Sequence, residues 1–91
     1  MHIIRAIGLA VILTGLIIPV NVRADAASDF ARGSELFRSG DYSAAARYFE
    51  SARKQGMSSV ALYYNLGSSY FKLGEYEGAK HYFLIVAASR A

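Results

Sequence analysis

Residues 62–83 read LYYNLGSSYFKLGEYEGAKHYF, and residues 28–49 read SDFARGSELFRSGDYSAAARYF. Set one above the other, the two stretches share Gly33 with Gly67, Ser34 with Ser68, Phe37 with Phe71 and Gly40 with Gly74. Tyr42 then meets Tyr76, Ala45 meets Ala79, and Tyr48-Phe49 meets Tyr82-Phe83. Arg38 opposite Lys72, Asp41 opposite Glu75 and Ala52 opposite Val86 are conservative matches. The offset is 34 residues throughout. A fixed period of that length belongs to a helical repeat array, in which each unit packs only on its neighbours.

The second unit shows why the repeat is helical. Leu62, Tyr63, Leu66, Tyr70 and Leu73 fall on one helical face. Gly74-Glu75 breaks the pattern, since glycine accepts the left-handed conformation that closes a helix and a carboxylate suits the start of the next. Tyr76, Ala79, Tyr82, Phe83 and Val86 form a second stripe. Each unit is therefore an αα-hairpin, and the fold expected is all-α.

On these residues the unit resembles the tetratricopeptide repeat (TPR). Tyr63-x2-Leu66-Gly67-x2-Tyr70 is similar to the family's W-x2-L-G-x2-Y core of helix A, with Tyr for Trp. Gly74-Glu75-Tyr76 resembles its interhelical turn, Ala79 its small residue on helix B, and Phe83 the aromatic four positions later. The resemblance implies a right-handed superhelix of two repeats, residues 25–57 and 58–91, behind an N-terminal signal helix. Gly33, Gly40, Tyr42, Ala45 and Phe49 would carry repeat packing in the first unit. Tyr63, Leu66, Gly67, Tyr70, Gly74, Tyr76, Ala79 and Phe83 would do so in the second. The first unit departs from the pattern: Asp29 and Arg32 stand where the second has Tyr63 and Leu66. An outer face that meets water explains both charges, because terminal repeats need a polar side; a degenerate repeat is the alternative.

Residues 1–24 have a different composition. Arg5 precedes an almost wholly apolar run from Ile7 to Ile18, Pro19 breaks it, and Val22-Arg23-Ala24 offers a cleavage site. This is the layout of a secretory signal peptide. The expected destination is the periplasm, after transport across an inner membrane. The alternative is an uncleaved anchor, since Ile3 to Val22 is about long enough to span a bilayer. The chain has no cysteine, which excludes a lipidated cysteine after the cut, disulfides and thiolate metal sites. Without residues 1–24, eight cations face seven carboxylates, a net charge of +1, so the overall +3 gives no support to nucleic-acid binding. Arg53-Lys54 reads as a cationic helix end.

Nothing in the sequence assembles a catalytic site, and the expectation is a protein that is not an enzyme and needs no cofactor or metal. His81, the one histidine after residue 24, lies beside the helix B stripe and has Arg47 as its polar counterpart. Glu75 and Glu77 straddle a helix start. The expected partner is a protein or peptide, with no nucleic acid and no small-molecule substrate. In the TPR fold, helices A line the concave face. By the resemblance, the groove would be formed by Phe30, Ala31, Ser34, Phe37 and Arg38 together with Tyr64, Asn65, Ser68, Phe71 and Lys72. Phe37-Arg38 and Phe71-Lys72 each pair an aromatic with a cation, which suits a peptide of some acidic character. Packing between repeats is the competing use for both phenylalanines. Asn65 matches an asparagine of the family's carboxylate clamp, but Phe30 and Ser34 stand where that clamp has Lys and Asn.

Two units are few for such a stack, which wants about three. The polar stretch Glu50-Ser51-Ala52-Arg53-Lys54 becomes Leu84-Ile85-Val86-Ala87-Ala88 in the second unit. An apolar end of this kind suits a further repeat of a longer TPR protein, a second copy of the chain, or a partner. The reading is an exported interaction module, a scaffold or assembly factor of the cell envelope, and the N-terminal part of a longer TPR protein. Its alternatives are a self-associating element and an accessory region of a larger membrane or catalytic protein. On export, the processed chain should begin at Asp25 by intact mass; an unshortened chain held in the membrane would establish the anchor instead.

Overall fold

The computed structural model describes residues 25–90. The expected signal helix lies outside the described residues. Four helices of 13 residues each follow one another: α1 (Ala26–Arg38), α2 (Tyr42–Lys54), α3 (Val60–Lys72) and α4 (Tyr76–Ala88). Among the described residues there is no strand. Consecutive helices pack on each other, and α1 also touches α3, whereas α2 and α4 make no comparable approach. Helices α1 and α3 therefore form the inner side of the curve.

Local chemistry fixes where each helix begins and ends. Asp25 caps α1 with a capping box: its carboxylate accepts from the Ser28 amide at 2.7 Å, and its own amide donates to Ser28 Oγ at 3.1 Å. Asp41 accepts from the Ala44 amide at 3.1 Å, and Ser59 Oγ accepts from the Leu62 amide at 3.2 Å. Glu75, one methylene longer than Asp41, makes no such bond. The first three helices end in the same way. Gly40, Gly56 and Gly74 adopt φ of 88°, 103° and 76°. The residue after each glycine donates back into the last turn: Asp41 to Leu36, Met57 to Ala52 and Glu75 to Tyr70, at 2.9–3.1 Å. Gly40 and Gly74 face open space, so they serve the turn and not close packing.

The other two repeated glycines do the opposite. A Cβ on Gly33 would lie 2.8 Å from the Phe49 ring, and one on Gly67 would lie 2.6 Å from the Phe83 ring. Each hairpin thus closes by bringing a helix B phenylalanine ring against a helix A glycine. Phe49, Leu62 and Leu66 are fully buried together with Ala45 and Ala52, and Tyr82 joins them. Burying such apolar side chains is worth about 1.5–3 kcal/mol each. The exposed Arg32–Glu35 pair on α1, at 3.2 Å, lies in the range of about 0–1 kcal/mol. Apolar packing at the α2–α3 junction therefore holds the two repeats together.

Three expectations change. Asp29 does not meet water: it is 4% exposed. Its carboxylate accepts from Ser51 Oγ at 2.6 Å and from Gln55 Nε2 at 2.7 Å, which clasps α1 to the end of α2. Arg32 is exposed. Leu73 caps α3 and is exposed, because the turn has already left the apolar stripe. Tyr76 was expected in repeat packing but is 62% exposed; as the first residue of α4 it leans outward, edge-on to Phe71 at 5.4 Å.

Because Phe49 is fully buried and Phe83 only partly so, the two glycines should respond differently to a methyl group. Gly33→Ala should cost about 1–3 kcal/mol of stability by thermal or urea unfolding, and Gly67→Ala less, since Phe83 has room to swing. Equal and negligible losses would contradict the close contact.

Candidate binding groove

Two adjoining recesses lie on the inner side of the curve. The larger, about 390 Å³, is lined by Phe37 from α1, Tyr64, Asn65, Ser68, Phe71 and Lys72 from α3, and Phe83 from α4. The smaller, about 230 Å³, is lined by Ser34, Phe37, Arg38, Phe49 and Asn65. Phe37 and Asn65 belong to both and make them one continuous groove. Its residues converge because α1 and α3 lie side by side and each gives up one face to it.

Tyr64 and Phe71 are 52% and 54% exposed, large side chains left half open to solvent. Tyr64 leans on Phe83 at 6.0 Å between ring centres, and Phe71 on Tyr76. Phe37 is half-buried and meets the edge of Tyr42 at 5.1 Å. Lys72 Nζ stands 5.9 Å over the Tyr42 ring, a contact worth about 0.5–1 kcal/mol at such a site. That contact holds the ammonium at the groove's edge and spans the two repeats. Ser34 Oγ donates to the Phe30 carbonyl at 3.0 Å, so its hydroxyl is turned onto its own helix. Among the described residues, no carboxylate lines either recess.

Of the residues expected in the groove, Ser34, Phe37, Arg38, Tyr64, Asn65, Ser68, Phe71 and Lys72 are brought together there. Phe30 is not: it packs half-buried against Phe49 at 5.6 Å. Ala31 is exposed on α1 and lines neither recess. Phe83, expected only in repeat packing, also forms a wall. Phe49, likewise expected only in repeat packing, lines the smaller recess.

A third recess of about 500 Å³ lies against Glu50, Tyr70 and Glu75. Its walls mix Arg47 and Lys54 with those carboxylates, and its one aromatic, Tyr70, is only partly exposed. Its central group is already engaged. Glu50 accepts from Arg53 Nε at 2.7 Å, from Tyr70 Oη at 2.8 Å and from Tyr82 Oη at 3.0 Å. Partial burial pushes the Glu50 carboxyl up, but the bonds from Arg53, Tyr70 and Tyr82 and the Arg53 charge outweigh it. The carboxyl is held below its ordinary range. Burial first, and then Glu50, hold both phenols above theirs. This cluster locks the repeats through groups already paired with one another. Sequence reasoning missed it because the partners lie 20 and 32 residues away.

His81 is exposed, edge-on to Tyr82. Among the described residues, no three His, Cys, Asp or Glu side chains are grouped to hold a metal, and no helix is long and apolar enough to cross a membrane.

The hairpins, their glycine contacts and the inner groove define a class, a two-repeat helical solenoid. A family model, described as tetratricopeptide repeat, matches residues 30–90, and the chain belongs to that family. Searches of curated proteins and of solved structures each gave no match.

The lowered Glu50 carboxyl stabilises the fold above the ordinary carboxylate range, and that contribution is lost as pH falls through its folded value. Glu50→Gln should therefore lower stability at neutral pH, by about 1 kcal/mol for lost hydrogen bonding. The gap between variant and parent should close in acid. A gap independent of pH would contradict the account.

Proposed function

We propose that the chain is an exported protein–protein interaction module whose inner groove captures a peptide segment carrying apolar anchors and acidic side chains. Acting by binding and not by catalysis, it serves as a scaffold or assembly factor of the cell envelope. The observation that carries the binding reading is the pair of half-exposed aromatics, Tyr64 and Phe71, in one recess with Lys72 beside them. Aromatic anchors in concave, partly desolvated surroundings supply most of the energy of such contacts. Arg38 and Lys72 give the groove a positive sign, which favours carboxylates and speeds their encounter.

Export rests on residues 1–24: one cation, an apolar run, Pro19 and the Val22-Arg23-Ala24 site. Cleavage after Ala24 would leave Asp25, the N-cap of α1, as the first residue. Its carboxylate then offsets the new α-ammonium at the positive end of the helix.

A set of peptides with a common apolar spacing and acidic, neutral or basic flanks tests the groove. The acidic members should be retained best. Phe71→Ala with Lys72→Glu should abolish that preference and leave helicity by circular dichroism unchanged. Retention of basic members, or retention untouched by the double substitution, would overturn the reading. Loss of helicity would show instead that Phe71 is needed for the fold.

A further inference from the structure

We propose that two copies of the chain associate through the outer face of α4, antiparallel and centred on Leu84. Leu84 is 58% exposed, with Ala87 and Ala88 exposed beside it. In α2 the same positions hold Glu50, Arg53 and Lys54, and Glu50 receives the hydroxyls of Tyr70 and Tyr82 from the following repeat. Leu84 has no acceptor to offer. A unit like the second repeat, set on α4 as that repeat sits on α2, would leave both hydroxyls without their carboxylate. What covers α4 presents apolar side chains there.

The start of a second copy does not fit. At the α2–α3 junction the fully buried positions of α3 are Leu62, Leu66 and Ser69. Their equivalents on α1 are Ser28, Arg32 and Glu35, and Arg32 and Glu35 form an exposed ion pair. Stacking α1 onto α4 head to tail would bury that pair in place of Leu66 and Ser69, with a desolvation cost that its attraction does not recover.

Charge points to α4 itself. Helices α1, α2 and α3 carry Arg38, Arg53-Lys54 and Lys72 in their last turns, where cations offset the negative helix end. The last turn of α4 has none, and Arg90 follows only beyond the Ser89 cap. Lys80, Leu84 and Ala88 share one face at four-residue steps. In an antiparallel pair centred on Leu84, Lys80 of each copy lies opposite Ala88 of the other. The missing cation is thereby supplied in trans at both ends, and the alanines leave room for the two backbones to approach. The contact is isologous, so it closes at two copies.

The chain has no cysteine, so single substitutions give unique probes. The full chain is expressed in cells and treated with a short membrane-permeant bismaleimide. Leu84→Cys should give a cross-linked homodimer, and Glu35→Cys on α1 should not. Co-expressed Lys80→Cys and Ala88→Cys should give the mixed dimer, while each alone gives little. Strong dimers from Lys80→Cys alone would overturn the antiparallel arrangement. Equal dimer from Glu35→Cys and Leu84→Cys, no dimer from either, or a Leu84→Cys adduct with a different protein would overturn self-association.

Discussion

Each hairpin in this molecule closes on a ring lying against a bare backbone. Phe49 on Gly33 and Phe83 on Gly67 set how closely each helix B approaches its helix A. That approach fixes the angle at which the next helix meets the hairpin. It also decides which faces remain. Once Phe49 occupies the space over Gly33, Leu62 and Leu66 of the following repeat can close on the Ala45, Phe49 and Ala52 surface. Once α1 and α3 are brought side by side, their remaining faces form the groove.

A second, polar constraint works across the same junctions. Asp29 ties α1 to α2, and Glu50 ties α2 to Tyr70 of α3 and Tyr82 of α4. Both carboxylates are satisfied, and among the described residues no buried side-chain polar atom lacks a partner. Apolar burial supplies the larger share of the stability, while these bonds favour one arrangement of the repeats over slipped ones. The two ends of the stack then differ in kind: α1 offers an ion pair to water, and α4 offers leucine and alanine.

The parts legible in the sequence are those set by local chemistry. The helices and the left-handed glycines at 40 and 74 follow from neighbours a few residues apart, and the 34-residue echo repeats them. Eight of the ten residues read as groove positions line the two recesses, since they lie at fixed positions on two equivalent helices. Phe30 escaped because its phase on the helix allows either the groove or Phe49, and only the packed hairpin decides. Asp29 and Glu50 were illegible for a different reason. A carboxylate among polar neighbours reads as solvated until the register of two hairpins brings Gln55 or Tyr82 to it. Tyr76 misled because an apolar stripe does not reveal which of its members lies at a frayed edge.

We infer that binding takes place on the inner side of the curve, between α1 and α3. NMR of the aromatic rings, during titration with an acidic peptide bearing apolar anchors, tests it most directly. The resonances of Phe37, Tyr64 and Phe71 should shift in step with occupancy, while those of Tyr70 and Tyr82 beside Glu50 stay in place. Shifts confined to Tyr70 and Tyr82, with Tyr64 and Phe71 silent, would contradict it.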